Sequence, residues 1–361
     1  MPESYHLFPI NDVLPPAGKP DFTQLIKVLN HEVPDRPTLF EFFLNDRLHQ
    51  KLSGIEITPD MNWLDHELVR MKAFERAGYD YLTVLLPGMS FRTIEIHREA
   101  SVSQNEGAAI WDRESYESYQ WPDPESLDYG VLDELGQHLP AGMKLIVYGP
   151  GGVLENAIEL VGYENLCLLI MDDPQLSMEI FAQIGARLQR YYALAAPHES
   201  VGACISNDDW GFKTQTLFSP RMMRKFVFPW HEKIAATIHE TGKPAILHSC
   251  GYFEKVIEDV ITDMKFDGRH SYEDNILPVE DAYEAYHERI AILGGIDVDF
   301  VCRSDPKAVV ERSMAMLERA ADRGSFALGT GNSVPEYVPD EGYFAMIRAA
   351  LDLRSTIKET H

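Results

Sequence analysis

Gly242-Lys243-Pro244-Ala245-Ile246-Leu247-His248-Ser249-Cys250-Gly251 is the stretch on which the reading of this chain turns. The apolar run from Pro244 to Leu247 reads as a buried strand, punctuated by a glycine on each side. Upstream, Ser219-Pro220 supplies an N-cap followed by a proline at the first helical position, and Gly242 ends that helix. The stretch therefore closes a helix over 220–241 and opens a strand over 244–248. His248 and Cys250 stand two residues apart at the strand's far end. On extended backbone they point the same way, so an imidazole and a thiolate are presented together to one borderline-soft ion such as zinc.

Working outward, the same alternation of short apolar runs and longer amphipathic segments extends along the chain. Strands are expected over 38–43, 81–86, 144–148, 201–206, 244–248, 266–271, 290–295 and 325–329. Helices are expected over 63–77, 127–138, 173–195, 220–241, 253–264, 279–286, 305–323 and 340–353. Eight such units in 361 residues fit an α/β protein of the (β/α)8 TIM-barrel class. A doubly wound sheet usually has fewer strands and a glycine-rich phosphate turn after the first. Gly149-Pro150-Gly151-Gly152 lacks the Walker lysine and the dinucleotide spacing, so it reads as a tight strand-to-helix turn. A single barrel domain is expected over 21–361, preceded by an N-terminal arm over 1–20. The polar, β-prone excursion over 91–121 reads as a hairpin inserted after the second strand.

Composition narrows the functional classes. Hydrophobic residues make up 45% and charged residues 25% of the chain, as in a water-soluble globular protein, and no apolar run is long enough to span a bilayer. The N-terminus carries acids and prolines in place of a signal peptide's basic end and apolar stretch, so a cytoplasmic location is expected. Lys and Arg total 32 against 57 Asp and Glu, and the formal charge of -25 repels a phosphate backbone. Nucleic acid is excluded as a partner on that ground. Four cysteines, Cys167, Cys204, Cys250 and Cys302, are dispersed singly, which argues against a disulfide framework and leaves thiol or metal chemistry open.

Barrel enzymes assemble their sites at the carboxyl ends of the strands, so residues there form one list. It holds Glu41, Tyr148, Asp208, Asp209, His248, Cys250, His270, Glu273, Asp297, Thr330 and Asn332. Catalytic zinc commonly takes three protein ligands. His248 and Cys250 supply two, and Glu273, just past the next strand, ranks first as the third, ahead of Asp208 and then Cys302. Asp208 and Asp209 are candidates to orient a substrate or a metal-bound water, with Trp210 and Phe212 walling the pocket; alternatively the two acids cap the loop that follows. Glu41 stands among Leu39, Phe40, Phe42 and Phe43, where an ionised carboxylate is costly. It either pairs with Arg36 or Arg47 or serves the pocket. Tyr148, His270, Thr330 and Asn332 complete the set as substrate contacts. A metal-free arrangement, with Cys250 as a packing residue and His248 hydrogen-bonded at a strand end, is the competing reading of the pair.

Four motifs carry a resemblance. They are Asp208-Asp209-Trp210-Gly211-Phe212 leading to Leu217-Phe218-Ser219-Pro220; Gly242-Lys243-Pro244 with His248-Ser249-Cys250-Gly251; Leu293-Gly294-Gly295-Ile296-Asp297; and Leu328-Gly329-Thr330-Gly331 before Pro335. Together they resemble the uroporphyrinogen decarboxylase superfamily, which also contains zinc-dependent methyltransferases acting with corrinoid proteins. The authentic decarboxylases carry an arginine-rich segment after the first strand, a late G-H-G motif and a tyrosine after the third strand. This chain has Glu41 to Arg47 with one arginine and two acids, then Gly329-Thr330-Gly331, and aliphatic Ile158. Such a pocket is poorly suited to a polycarboxylate tetrapyrrole.

The methyltransferase branch resembles the chain through its H-x-C pair, which there binds zinc, although Asn332 stands near the place of that branch's late cysteine ligand. The resemblance implies zinc as cofactor, a small-molecule methyl donor or acceptor, a corrinoid protein as partner, and a homodimer. Zinc-dependent methyl transfer between a small methylated or thiol substrate and a corrinoid protein is the activity expected. A cofactor-independent decarboxylase is the first alternative, and a non-catalytic barrel that binds a ligand or a corrinoid protein is the second.

Overall fold

Seven parallel strands pair in strict sequence order: β1 (Tyr81–Val84), β2 (Lys144–Tyr148), β3 (Val201–Asn207), β4 (Ala245–His248), β5 (Gly268–His270), β6 (Ala291–Leu293) and β7 (Phe326–Ala327). This is a computed structural model, and it describes residues 10–91 and 108–359. Every residue of β1 and β4 is buried, as expected of strands covered by helices on one face and by core on the other.

The segment over 38–44, of which 38–43 is expected as a first strand, forms single bridges, Leu39 to Leu328 and Leu44 to Val334. Its other flank meets β1 through side chains. The Tyr81 hydroxyl accepts from the Glu41 amide and donates to the Glu41 carbonyl, both at 2.7 Å, and the Thr83 hydroxyl donates to the Phe42 carbonyl at 2.6 Å. One segment thus touches both edges of the sheet, and the sheet curls.

The helix expected over 220–241 is interrupted: Pro220–Met222 leads through a π-helical turn, Met223–Val227, into Phe228–His239. Pro229 is the cause, because it has no amide hydrogen and its ring crowds the carbonyl four residues back. The segment over 253–264 is helical over 254–263 but not as a regular α-helix: a 3-10 turn, Glu254–Val256, runs through 257–258 into a π turn, Asp259–Asp263. Val256, Ile257, Val260, Ile261 and Thr262 are β-branched and crowd a helix. Three helices, Val153–Val161, Tyr163–Asp172 and Pro174–Ala195, connect β2 to β3 where one was expected.

Most of the expected hairpin lies outside the described residues, and its described end forms a helix, Arg113–Ser118, capped by Asp112. Of the arm, residues 10–20 are described. They begin with the helical turn Ile10–Val13 and are tied to helix Trp63–Ala77 by Arg76, whose guanidinium donates to the carbonyls of Ile10, Leu14 and Pro15.

Candidate metal centre

The register of the sheet assembles the centre. Asn207 of β3 pairs with His248 of β4, and His248 pairs with His270 of β5. Paired residues face the same side of a sheet, and so do residues two further on. Asp209 and Cys250 are those residues. The two loops that carry them run in close contact: the Gly211 amide donates to the Cys250 carbonyl, and the Tyr252 amide to the Phe212 carbonyl. Gly251 has φ of 81°, and a Cβ there would lie 2.0 Å from the Gly211 carbonyl oxygen, so only glycine permits the approach.

Ligand atoms of Asp209, His248 and Cys250 accordingly all lie within 4.8 Å of one another. The imidazole Nε2 of His248 is 3.7 Å from the Cys250 sulfur. A tetrahedral zinc ion with ordinary Zn–N and Zn–S bonds separates those two atoms by about 3.6 Å. Nitrogen, sulfur and carboxylate oxygen are also a zinc-type donor set.

Hydrogen bonds present His248 in the ligating form. Nε2 of His270 lies 3.3 Å from the Thr330 carbonyl, which only accepts, so that nitrogen carries the hydrogen. Nδ1 of His270 is then an acceptor for Nδ1–H of His248 at 2.8 Å, and Nε2 of His248 keeps its lone pair for the cleft. Burial holds both rings neutral, lowering His248 to about 3 and His270 well below the ordinary imidazole value. Around the sulfur, the Cys250 amide donates to Asp209 Oδ1 at 2.9 Å and the Asn332 side-chain amide donates to Sγ at 3.2 Å. Burial and the neighbouring Asp209 push the Cys250 thiol well above its usual range. A bound dication reverses that preference.

Glu41 is fully buried and faces Thr330, whose amide and hydroxyl lie 2.6 and 2.9 Å from its two oxygens. Burial raises its carboxyl to about 8. The Thr330 hydroxyl also reaches the Asn332 carbonyl, and one hydroxyl hydrogen serves only one acceptor. A protonated Glu41 resolves the conflict by donating to Thr330, which passes its own hydrogen on. Glu41 therefore pairs with neither expected arginine: Arg36 binds Asp80, and Arg47 binds Asp340 and Glu336. It supports the Thr330–Asn332 loop and does not line the cleft.

The other expected residues divide. Asp208 is completely buried and points away from the centre, accepting from the amides of Leu154 and Glu155 and from His231 Nε2 at 2.8 Å. It caps the helix Val153–Val161, and a Cβ on Gly152 would lie 2.1 Å from it. Trp210 is core, packed against Phe228, His231 and Phe253. Phe212 is exposed beside Tyr163. Neither lines the cleft.

Glu273 does not join His248 and Cys250. It lies in a turn where the Ile276 and Leu277 amides donate to its carbonyl, and Asp209 takes the place expected of it. Cys302 sits on a separate helix, Val298–Arg303. Tyr148 and Asn332 do line the cleft, whereas His270 and Thr330 stand behind the ligands.

The cleft has a volume of about 570 Å³. Phe42 packs on the His248 ring at 4.6 Å and on Tyr148 at 4.9 Å, forming one wall with Phe43 and Phe91. Glu155 and Glu159, missed in the sequence, line it with Asp209. Burial, with Asp208 and Asp209 nearby, holds the Glu155 carboxyl well above its ordinary value. No lysine or arginine lines the cleft among the described residues.

With this geometry in place, the sequence from residue 82 to residue 353 matches the model of a family described as Uroporphyrinogen decarboxylase (URO-D). The chain belongs to the uroporphyrinogen decarboxylase family. A methyltransferase from Methanosarcina mazei shares its fold: TM-score 0.68 at 15% identity, over 93% of this chain and 100% of that one. Xylanase B from Clostridium stercorarium F9 is a looser likeness, with TM-score 0.36 at 12% identity, over 68% of this chain and 88% of that one. A comparison with curated proteins returns no match. No helix of this uroporphyrinogen decarboxylase family protein is, among the described residues, long and apolar enough to cross a membrane.

Proposed function

We propose that this protein is a zinc-dependent methyltransferase, moving a methyl group between a small methylated or thiol substrate and a corrinoid carried by a partner protein. We read the curled sheet as a (β/α)8 barrel in which 38–44 stands in for the remaining strand. One observation carries the proposal: nitrogen, sulfur and oxygen donors from His248, Cys250 and Asp209 converge at a cleft with zinc-compatible spacing. Family membership and the methyltransferase fold agree with it.

His248, Cys250 and Asp209 would hold the zinc ion, with a fourth position left for substrate. Zinc bound there supplies Lewis acidity, favouring a substrate thiolate or polarising a methylated heteroatom. His270 fixes the His248 tautomer, and the Asn332 amide tempers charge on the Cys250 sulfur. Phe42 packs on the imidazole and Tyr148 packs on Phe42, which shields that side of the ring from water. Decarboxylation of a polycarboxylate finds no support in the described lining, which offers acids where such a substrate needs cations.

Metal analysis of untagged protein is the test. Near-stoichiometric zinc is expected in the wild type and its loss in Cys250→Ser; a well-folded wild type that purifies without metal and takes up none from added zinc overturns the proposal. Methylcobalamin consumption in the presence of thiols then reads the transfer itself.

A further inference from the structure

We infer that Asn207 and Tyr148 select the substrate: together they donate hydrogen bonds to an ether or hydroxyl oxygen that the substrate presents beside the metal position. The inference rests on the cleft being the substrate site, as proposed above, but not on the identity of the metal. Asn207 ends β3 and lines the cleft. Its register partner is His248, and Asp209 lies two residues further on, so its side chain shares a face with the candidate ligands. Side-chain Oδ1 of Asn207 accepts from the Gly149 amide at 3.1 Å. A backbone amide only donates, so this bond fixes which end of the side-chain amide is oxygen and turns the Nδ2 hydrogens away from Gly149. Those hydrogens have no protein partner among the described residues.

Tyr148 ends β2 and lines the same cleft. It pairs with Ile205, two residues before Asn207, so the two side chains face the same side one diagonal step apart. Phe42 holds the ring edge-on at 4.9 Å, and the hydroxyl has no hydrogen-bond partner among the described residues. Burial holds the phenol above its ordinary value, which keeps the hydrogen on it. The fold therefore uses neither donor, although both residues are partly buried, where a donor left without an acceptor costs free energy. One acceptor with two lone pairs satisfies both. An ether or hydroxyl oxygen has them, whereas thioether sulfur accepts weakly and an alkylamine at neutral pH is an ammonium with no lone pair to offer. Two neutral donors on one wall thus select oxygen over sulfur and nitrogen in a substrate of the same shape. The rings of Phe42 and Phe43, 5.0 Å apart, line the same cleft and receive its apolar part.

Anisole, thioanisole and ethylbenzene test this, since they differ only in having oxygen, sulfur or a methylene at one position. Their dissociation constants are to be measured by ligand-observed NMR on the wild type, Tyr148→Phe, Asn207→Leu and the double variant. The readout is the affinity for anisole relative to ethylbenzene, which cancels the unequal partitioning of the probes out of water. That preference is expected to fall about fivefold in each single variant and about tenfold or more in the double one, while the preference for thioanisole over ethylbenzene moves by less than about twofold. Tyr148→Phe keeps the ring and its packing on Phe42, and thermal melts verify folding. If Asn207→Leu, which strands the Gly149 amide, does not fold, Tyr148→Phe decides alone. Binding of none of the probes, an anisole preference unchanged in folded Tyr148→Phe, or an equal fall for thioanisole overturns the inference. Zinc content measured on the same samples separates the two proposals: oxygen preference in a wild type that holds and takes up no zinc sinks the metal reading and keeps this one, and stoichiometric zinc without oxygen preference does the reverse.

Discussion

Asp208 and Asp209 are chemically identical neighbours that the sheet sends in opposite directions. Asp208 closes a buried network with His231 and the start of helix Val153–Val161, while Asp209 joins His248 and Cys250 in the candidate metal centre. Their substitutions therefore separate. Asp208→Ala strands His231 and two amides in the core and is expected to cost about 3 kcal/mol or more of stability in urea unfolding. Asp209→Ala removes the acceptor of one part-buried amide, that of Cys250, so it is expected to cost the apo protein less stability than Asp208→Ala and to weaken zinc binding, whereas Glu273→Gln leaves zinc binding as it is. Equal zinc affinities for the two acids' variants would contradict the assignment. His270 acts one step back: His270→Ala frees the His248 ring to rotate and change tautomer, and should weaken zinc about 10–100-fold in chelator competition. His248 and Cys250 were legible as a pair because their spacing is local. The third donor was not, because it depends on register: once Asn207 is known to pair with His248, counting two residues on from each gives Asp209 and Cys250. The sequence contains both motifs but not their alignment.

At the scale of elements, the strands were legible because each is an apolar run bounded by turn residues, and β2 falls where the pattern put it, at Lys144–Tyr148. Helices lose regular α geometry where composition and context disagree, as at Pro229 and in the β-branched run after Glu254. The segment over 38–44 is the instructive case. Its apolar residues read as a strand, yet its central residue is an acid, and the structure makes that acid a buried strut to Thr330. An unfolded Glu41 ionises near its ordinary value of 4.5, and burial raises the folded value to about 8. Between those values the folded state holds a proton that the unfolded state has lost, so stability from this group is fully present below about pH 4.5 and falls as pH rises toward 8. The full swing is of order 5 kcal/mol. Glu41→Gln keeps an acceptor and a donor for Thr330 but does not titrate. Relative to wild type, its unfolding free energy should therefore gain steadily from pH 5 to pH 8; a difference that stays constant with pH would rule out the neutral, buried carboxyl.

For the whole molecule, the question is what closes the sheet. Six parallel ladders join β1 through β7, but the segment over 38–44 bridges β7's end by backbone and β1 by the hydroxyls of Tyr81 and Thr83. Two side chains thus stand in for a ladder. The Tyr81 hydroxyl serves the Glu41 amide and carbonyl at once, in a fully buried setting, so Tyr81→Phe leaves two backbone groups without partners while preserving the ring and its packing on Phe40 and Phe74. Each such orphan costs about 1–3 kcal/mol. Tyr81→Phe is accordingly expected to lower the unfolding free energy by about 2–5 kcal/mol, well beyond what loss of an exposed hydroxyl would do. Closure also connects to the candidate metal centre, since Glu41 holds Thr330, and Thr330 in turn positions His270 and Asn332 around His248 and Cys250. Loosening the 38–44 seam should therefore weaken zinc binding in a protein whose ligands are all intact. Zinc affinity and urea stability measured together on Tyr81→Phe decide the matter: a fall in both ties the seam to the site, while a stability loss with unaltered zinc affinity shows that the ligands hold their geometry without it.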